Sequence, residues 1–263
     1  MSAIIAISHQ KGGVAKTTTC LSLGAALAEM GHSVLLIDLD PQANLTLSLG
    51  LEPGDLRRTV LDSLMGNESL VGVSQETDLF GLDIVPANSE LALVDKVLYT
   101  RPGYQYRLKE ALDRVYPDLY RYILLDCPPS LAPLTLNALA AADLLLIPVQ
   151  CELFATVSLR KTIQLARQMR EQYNPNLDYR VLVTMYDQRI KSSRIILARL
   201  HKELNSAMFT TVIQIDTKLR ESPAAGQPIT RYAPGSRGAQ QYKVLAQELQ
   251  KPEIDRLFQR ADS

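Results

Sequence analysis

The sequence predicts an α/β fold built on a doubly wound, mostly parallel sheet flanked by helices. Three observations carry this. Short apolar, β-branched runs recur along the chain, amphipathic stretches of helical length separate them, and Gly- or Pro-rich turns mark the junctions. Strands buried on both faces read as continuous apolar runs rather than as alternating ones. With 263 residues and 46% hydrophobic content the chain can bury a sizeable core. One domain over 1–263 is expected, with 251–263 as a short-helical or flexible tail.

The first run, Ala3-Ile4-Ile5-Ala6-Ile7-Ser8, is the first strand, and Gly12-Gly13 makes the turn after it. A helix follows over 16–30, with Leu21, Leu23, Ala25, Ala26, Leu27 and Met30 apolar and Gly31 where a C-cap belongs. The chain re-enters a strand at 33–38, completing one βαβ unit with its loop behind the first strand. Further strands are expected at 82–86, 122–126, 144–149, 179–184 and 211–215, with helices over 153–172, 190–204 and 239–250. The segment 53–77 is the least regular, and 221–238, with three Pro and three Gly, reads as a long ordered loop. In such sheets ligands bind beyond the carboxyl ends of the strands.

Composition narrows the function. No stretch approaches 18 uninterrupted apolar residues and the start has no signal-peptide pattern, so a membrane span is excluded and a cytoplasmic location is expected. Cys20, Cys127 and Cys151 are widely spaced, without metal-ligand spacing. The zero net charge hides an asymmetry: residues 180–263 hold 14 Lys/Arg against 8 Asp/Glu, and residues 1–179 hold 14 against 20. A basic surface is therefore expected from the C-terminal part.

Lys11-Gly12-Gly13-Val14-Ala15-Lys16-Thr17-Thr18 lies between strand and helix. Glycines let backbone N–H groups approach phosphate oxygens, the helix N-terminus favours negative charge, Lys16 adds a point charge and Thr17 offers a hydroxyl to Mg²⁺. The common phosphate-loop pattern is not met, because Gln10 and Ala15 stand where it has glycines. The segment resembles instead the deviant Walker A motif, K-G-G-x-x-K-[ST], of the ParA/MinD family of P-loop ATPases. The resemblance implies a P-loop NTPase-like fold, ATP and Mg²⁺ as cofactors, slow partner-stimulated ATP hydrolysis, and an ATP-bound homodimer in which Lys11 reaches the partner subunit's ATP. Ala15 departs from the glycine most members carry, and its Cβ is expected to alter loop dynamics or hydrolysis rate.

Two further motifs extend the resemblance. Asp38-Leu39-Asp40-Pro41-Gln42-Ala43-Asn44 is similar to the family's switch I, with Asp40 as the residue that positions or activates water and Asp38 supporting the metal shell. Leu124-Leu125-Asp126-Cys127-Pro128-Pro129 is similar to Walker B and switch II, with Asp126 holding Mg²⁺. Late matches are Val149-Gln150-Cys151-Glu152, Gly226-x-Pro228 and Ser236-Arg237-Gly238-Ala239. The catalytic set is thus Lys11, Lys16 and Asp40, the nucleotide set Lys11 to Thr18, and the metal set Thr17, Asp38 and Asp126. Base contacts are expected near Met185-Tyr186.

Within the family, ParA-type members bind DNA nonspecifically as ATP dimers and position cargo with a ParB-like, hydrolysis-stimulating partner. The resemblance aligns Arg189 and Lys218 with DNA-contacting positions and implies nucleoid association, and Arg220 beside Lys218 is a further candidate DNA contact. Other basic residues, Lys191, Arg194, Arg199 and Lys202 among them, read as solvated helix faces. MinD-type members use a basic amphipathic C-terminal helix on membranes. Here Ile254, Leu257 and Phe258 share a face, but acidic residues balance the basic ones and Pro252 interrupts the stretch, so membrane binding is not expected. An operator-binding extension before the phosphate loop is not expected either. The alternative function is an ATP-switched adaptor acting on a membrane or a protein cargo.

Overall fold

In the computed structural model, which describes residues 2–116, 118–153 and 155–258, the apolar runs form one sheet. Its strands are β1 (Ala3–Ile7), β2 (Val34–Asp38), β3 (Gln75–Glu76), β4 (Leu82–Val85), β5 (Tyr122–Asp126), β6 (Leu144–Gln150), β7 (Asp178–Tyr186) and β8 (Met208–Gln214). They lie in the order β3-β4-β2-β5-β1-β6-β7-β8. Every pairing is parallel except the short β3–β4 edge. β1 sits between β5 and β6, where the chain changes its direction of winding, so the loop behind it opens at a topological switch point. The registers Ile7↔Asp126 and Asp38↔Asp126 bring both strand-terminal aspartates to one edge.

Helices cover both faces of the sheet. One apolar layer joins α1 (Lys16–Glu29) to the Arg237–Leu249 helix; the other joins the Leu91–Leu98, Pro133–Ala141 and Ala155–Gln172 helices and reaches Leu200 of the Lys191–Leu204 helix. β2 and β5 are buried along their whole length, which is why their sequences carry no alternation. Gly24 lets α1 approach β2 closely, since a Cβ there would stand 2.6 Å from Leu36 Cδ2.

Strand positions follow the sequence expectation, with β7 and β8 extending it at their ends. The 53–77 segment holds the Val60–Met65 and Leu70–Val73 helices and β3, each too short to leave a periodic signature. The expected long loop 221–238 is largely replaced by short helices, Lys218–Ala224 and Ile229–Tyr232. Pro223 sits in the last turn of the first and Pro228 caps the second, so these prolines bound helices instead of excluding them. The last long helix begins at Arg237, two residues early, because the Ser236 hydroxyl accepts the Ala239 N–H as an N-cap. The described part of the tail holds a short helix, Pro252–Asp255. Ile254, Leu257 and Phe258 are buried against the α1 layer and Arg121 pairs with Asp255 at 2.7 Å, so that apolar face is used internally. Residues 259–263 of the tail lie outside the described residues. No helix among the described residues is long and apolar enough to cross a membrane.

Candidate functional site: a phosphate-binding edge

The loop from Ser8 to Ala15 is held in place by groups from β6 and β7. Gln150 Nε2 donates to the Gly13 carbonyl at 2.7 Å, Thr184 Oγ1 donates to the Val14 carbonyl at 3.0 Å, and the Val14 side chain is buried. Gly13 takes φ +73°, where glycine is at ease. Ala15 takes φ +68°, ψ +36°, a left-handed conformation that strains a Cβ-bearing residue, and it is the N-cap of α1. No side chain caps that helix, so its first N–H groups are left to an external anion. His9 is buried, and burial, with the charges of Lys16 and Lys11 behind it, holds its imidazole down to about 4. The neutral ring accepts the Lys11 N–H at Nδ1, 2.8 Å away.

Below the loop lies a dry floor of charge. Lys16 is buried, and Thr17 Oγ1 donates to Asp126 Oδ2 at 2.7 Å. Asp126 is fully enclosed and its Oδ1 has no hydrogen-bond partner among the described residues. Burial above all, then the charge of Asp38, pushes its carboxyl well above the usual range, against the Thr17 hydrogen bond and Lys16. An unsatisfied buried carboxylate oxygen beside a hydroxyl fits a hard divalent cation, whose charge would reverse that shift. Among the described residues no three His, Cys, Asp or Glu side chains converge on a metal position. That suits Mg²⁺, which draws most of its ligands from phosphates and water.

Asp38 is held by three donors from its own segment. Its Oδ2 accepts the Thr46 N–H at 3.0 Å and the Thr46 hydroxyl at 2.8 Å, and its Oδ1 accepts the Asp40 N–H at 3.1 Å. These three donors make Asp38 the anchor of the segment carrying Asp40. Burial pushes it up to about 6 despite these donors. Asp40 reaches the wall of an open cleft of about 610 Å³, its Oδ1 accepting the Gln42 N–H at 3.0 Å. The cleft runs from Gly12, Lys16 and Thr17 past Asp40 and Pro129 to Met185, Pro223 and Ala224. Of the expected pair, Met185 is among its lining residues. Pro223 and Ala224 were missed because the sequence read that segment as loop.

Lys11 stands apart from this floor. It is exposed, and its Nζ meets Glu152 Oε2 at 2.5 Å. Arg189, Lys218 and Arg220 gather at the same edge, behind β7 and β8, whose Tyr186 and Gln214 are register partners. Arg189 is bound by Asp187 through two contacts of 2.9 and 2.7 Å, and Lys218 by Glu221 at 2.7 Å. Both cations are exposed to solvent, so each can exchange its carboxylate for a phosphate at modest cost. Arg237, which the late motif included without a role, ties the Gln214 side chain and the Ile215 carbonyl to the same edge.

Comparison with known proteins agrees with this geometry. A family model described as an AAA domain matches residues 2–179. The sporulation initiation inhibitor protein Soj of Bacillus subtilis is 41% identical over 95% of this chain and 98% of its own length. The chromosome partitioning protein ParA of Caulobacter vibrioides is 39% identical over 96% of each chain. A crystal structure described as cobyrinic acid a,c-diamide synthase from Mycobacterium smegmatis, with bound ADP and magnesium, superposes with a TM-score of 0.80 at 37% identity, covering 94% of this chain and 93% of that one.

Proposed function

Because the chain belongs to the ParA/MinD family of P-loop ATPases, we propose that it is an ATP-driven positioning ATPase. Its ATP-bound homodimer holds double-stranded DNA nonspecifically, and hydrolysis stimulated by a ParB-like or cargo-adaptor partner releases it. One observation carries the nucleotide reading: Lys16, Thr17 and Asp126, with its unsatisfied oxygen, share one buried floor beneath an uncapped helix N-terminus. The relative crystallised with ADP and magnesium supports ATP and Mg²⁺ as the ligands, and the relative named a chromosome partitioning protein supports chromosomal DNA as cargo.

In this mechanism the N–H groups of Gly12 to Thr18 cradle the phosphates, and Lys16 supplies charge to the transferring group. Thr17 and Asp126 hold Mg²⁺, which when bound neutralises charge on the β- and γ-phosphates. Asp40, fixed through its N–H to Asp38, orients the attacking water. Asp126 and the Pro128-Pro129 turn relay loss of the γ-phosphate. Lys11 leaves Glu152 to reach the partner subunit's nucleotide, an exchange of one exposed pair for a phosphate contact. Arg189, Lys218 and Arg220 meet the DNA backbone, which accounts for nucleoid association. The burial of Ile254, Leu257 and Phe258 uses the apolar face of the described part of the tail internally, which weighs for DNA as the anchoring surface.

The test is co-sedimentation with DNA of arbitrary sequence in ADP, ATP or a slowly hydrolysed ATP analogue at two salt concentrations. Retention that requires ATP, weakens steeply with salt and disappears in Lys16→Ala is the expected result. Absence of retention in every nucleotide state, with ATP-dependent dimerisation intact, would move the assignment to a protein-cargo adaptor.

A further inference from the structure

We infer that the Ala155–Gln172 and Lys191–Leu204 helices form a second polyanion surface, on the flank of the sheet, and that its ligand is the phosphate backbone of duplex DNA. The inference rests on the DNA reading above and extends it beyond Arg189, Lys218 and Arg220. Those two helices hold eight Lys/Arg against Glu171 and Glu203 alone, in a chain whose net charge is zero. The remaining residues therefore carry the compensating negative charge. The division of the sequence at residue 180 concealed this, because it placed Arg160, Lys161, Arg167 and Arg170 in the acidic part.

The packing decides where this charge points. Leu159, Ile163, Ala166 and Met169 of one helix and Leu200 of the other are buried in the core, and all eight cations are exposed. Glu203 is outnumbered locally: Arg199 contacts it at 2.6 Å and Arg160 reaches it from the neighbouring helix at 3.9 Å, with Lys202 next in sequence. Lys161, Arg167, Arg170, Lys191 and Lys202 make no ion pair among the described residues. By contrast Arg189 and Lys218, the positions suggested by resemblance, are both paired. Like charges exposed on two neighbouring helices repel each other, and a polyanion relieves that repulsion.

Dimensions and chemistry favour a duplex over other anions. Helices of 18 and 14 residues span about 27 and 21 Å, while a DNA duplex carries one phosphate charge per about 1.7 Å of its axis, so the flank can meet several phosphates at once. Most of the cations are arginines, whose planar forks match phosphate. An anionic membrane would need a broad apolar face beside the cations. The exposed apolar residues of these helices, Val157 and Ile195, stand early in each helix, towards the carboxyl edge. The flank is also continuous with the Arg189 loop, because Arg194 donates to the Gln188 carbonyl at 2.7 Å.

The test compares the wild type with K161Q/R167Q/R170Q/K202Q, which leaves the Glu203 pairs in place, for ATP-dependent binding to a duplex of arbitrary sequence across a salt series. The neutralised chain should bind about 10- to 100-fold more weakly at low salt, and its log-affinity against log-salt slope should be shallower by about 2 to 4. The charge-conserving K161R/R167K/R170K/K202R should restore the slope. A neutralised variant with the wild-type affinity and slope would overturn the inference. So would unchanged DNA binding accompanied by lost binding to anionic vesicles or an acidic polypeptide. Failure of the wild type to bind DNA in any nucleotide state would instead defeat the DNA reading itself.

Discussion

At the carboxyl edge of the sheet, Asp126 is enclosed with one oxygen that no donor reaches; near the amino edge, Glu248 is buried as well but accepts both N–H groups and both hydroxyls of Thr210 and Thr211. Asp143, also near the amino edge, accepts the Ile4 N–H at 2.8 Å. Backbone strain divides in the same way. Of the four non-glycine residues at positive φ among the described residues, Ala15 and Met185 line the cleft, Ala43 sits between its lining residues Gln42 and Asn44, and only Asn205 lies at the other edge. The two edges come from the same strands and the same apolar composition. Three of the four strained residues and the one unsatisfied buried carboxyl oxygen thus lie at the edge that carries the candidate site.

The most forceful way to break this comparison is to remove a carboxylate that serves the ligand and not the fold. Asp40→Ala keeps the backbone N–H that bonds Asp38 and surrenders only the side-chain acceptor of Gln42. Single-turnover hydrolysis should slow by about 10²- to 10⁴-fold, while nucleotide binding and the unfolding midpoint stay close to wild type. The ATP state should then remain on DNA. DNA release at the wild-type rate would remove Asp40 from the hydrolytic role.

The same contrast explains what the sequence could disclose. β1, β2 and β5 were legible because burial on both faces forces continuous apolar runs, and the phosphate loop because bare helix N–H groups, two lysines and adjacent glycines leave few other uses for that segment. The occupation of Asp38 was not legible, since its partner Thr46 is eight residues away and joined by a turn through left-handed Ala43. Gln150 and Thr184, which fix the loop carbonyls, come from strands far along the chain, and a single sequence does not show such a contact. The flank cations failed to stand out for another reason. Surface charge acts by summation over neighbours in space, and a count along the chain divided those neighbours between two halves.

A smaller effect sharpens the comparison from the amino edge. Burial, against the opposing Ile4 N–H and Lys109, pushes the Asp143 carboxyl up to about 6. A folded-state value above the ordinary 3.8 means that the folded chain holds the proton more tightly than the unfolded one. This group's favourable contribution is therefore full below about pH 4 and is lost as pH rises through 6, by at most about 3 kcal/mol. Asp143→Asn keeps an acceptor for Ile4 and removes the titration. In urea unfolding the difference between variant and wild type should grow in the variant's favour between pH 4 and 7 and then level off. A difference independent of pH would mean that Asp143 titrates normally in the fold.

The smallest expected effect concerns Ala15, where strain and ligand site coincide in one residue. A Cβ at φ +68° costs about 1–2 kcal/mol relative to a relaxed backbone, and replacing it with glycine returns about 0.4–1 kcal/mol as added freedom of the unfolded chain. Ala15→Gly should therefore raise unfolding stability by between about 0 and 1.6 kcal/mol, the difference between those two terms. Its effect on ATP affinity distinguishes two uses of the strain. If the left-handed turn is only tolerated, affinity stays within about fivefold of wild type, because the loop carbonyls remain fixed by Gln150 and Thr184. If the Cβ instead restricts the loop to its phosphate-ready shape, glycine weakens ATP binding while strengthening the fold, and opposite signs in the two measurements would identify Ala15 as a preorganising residue.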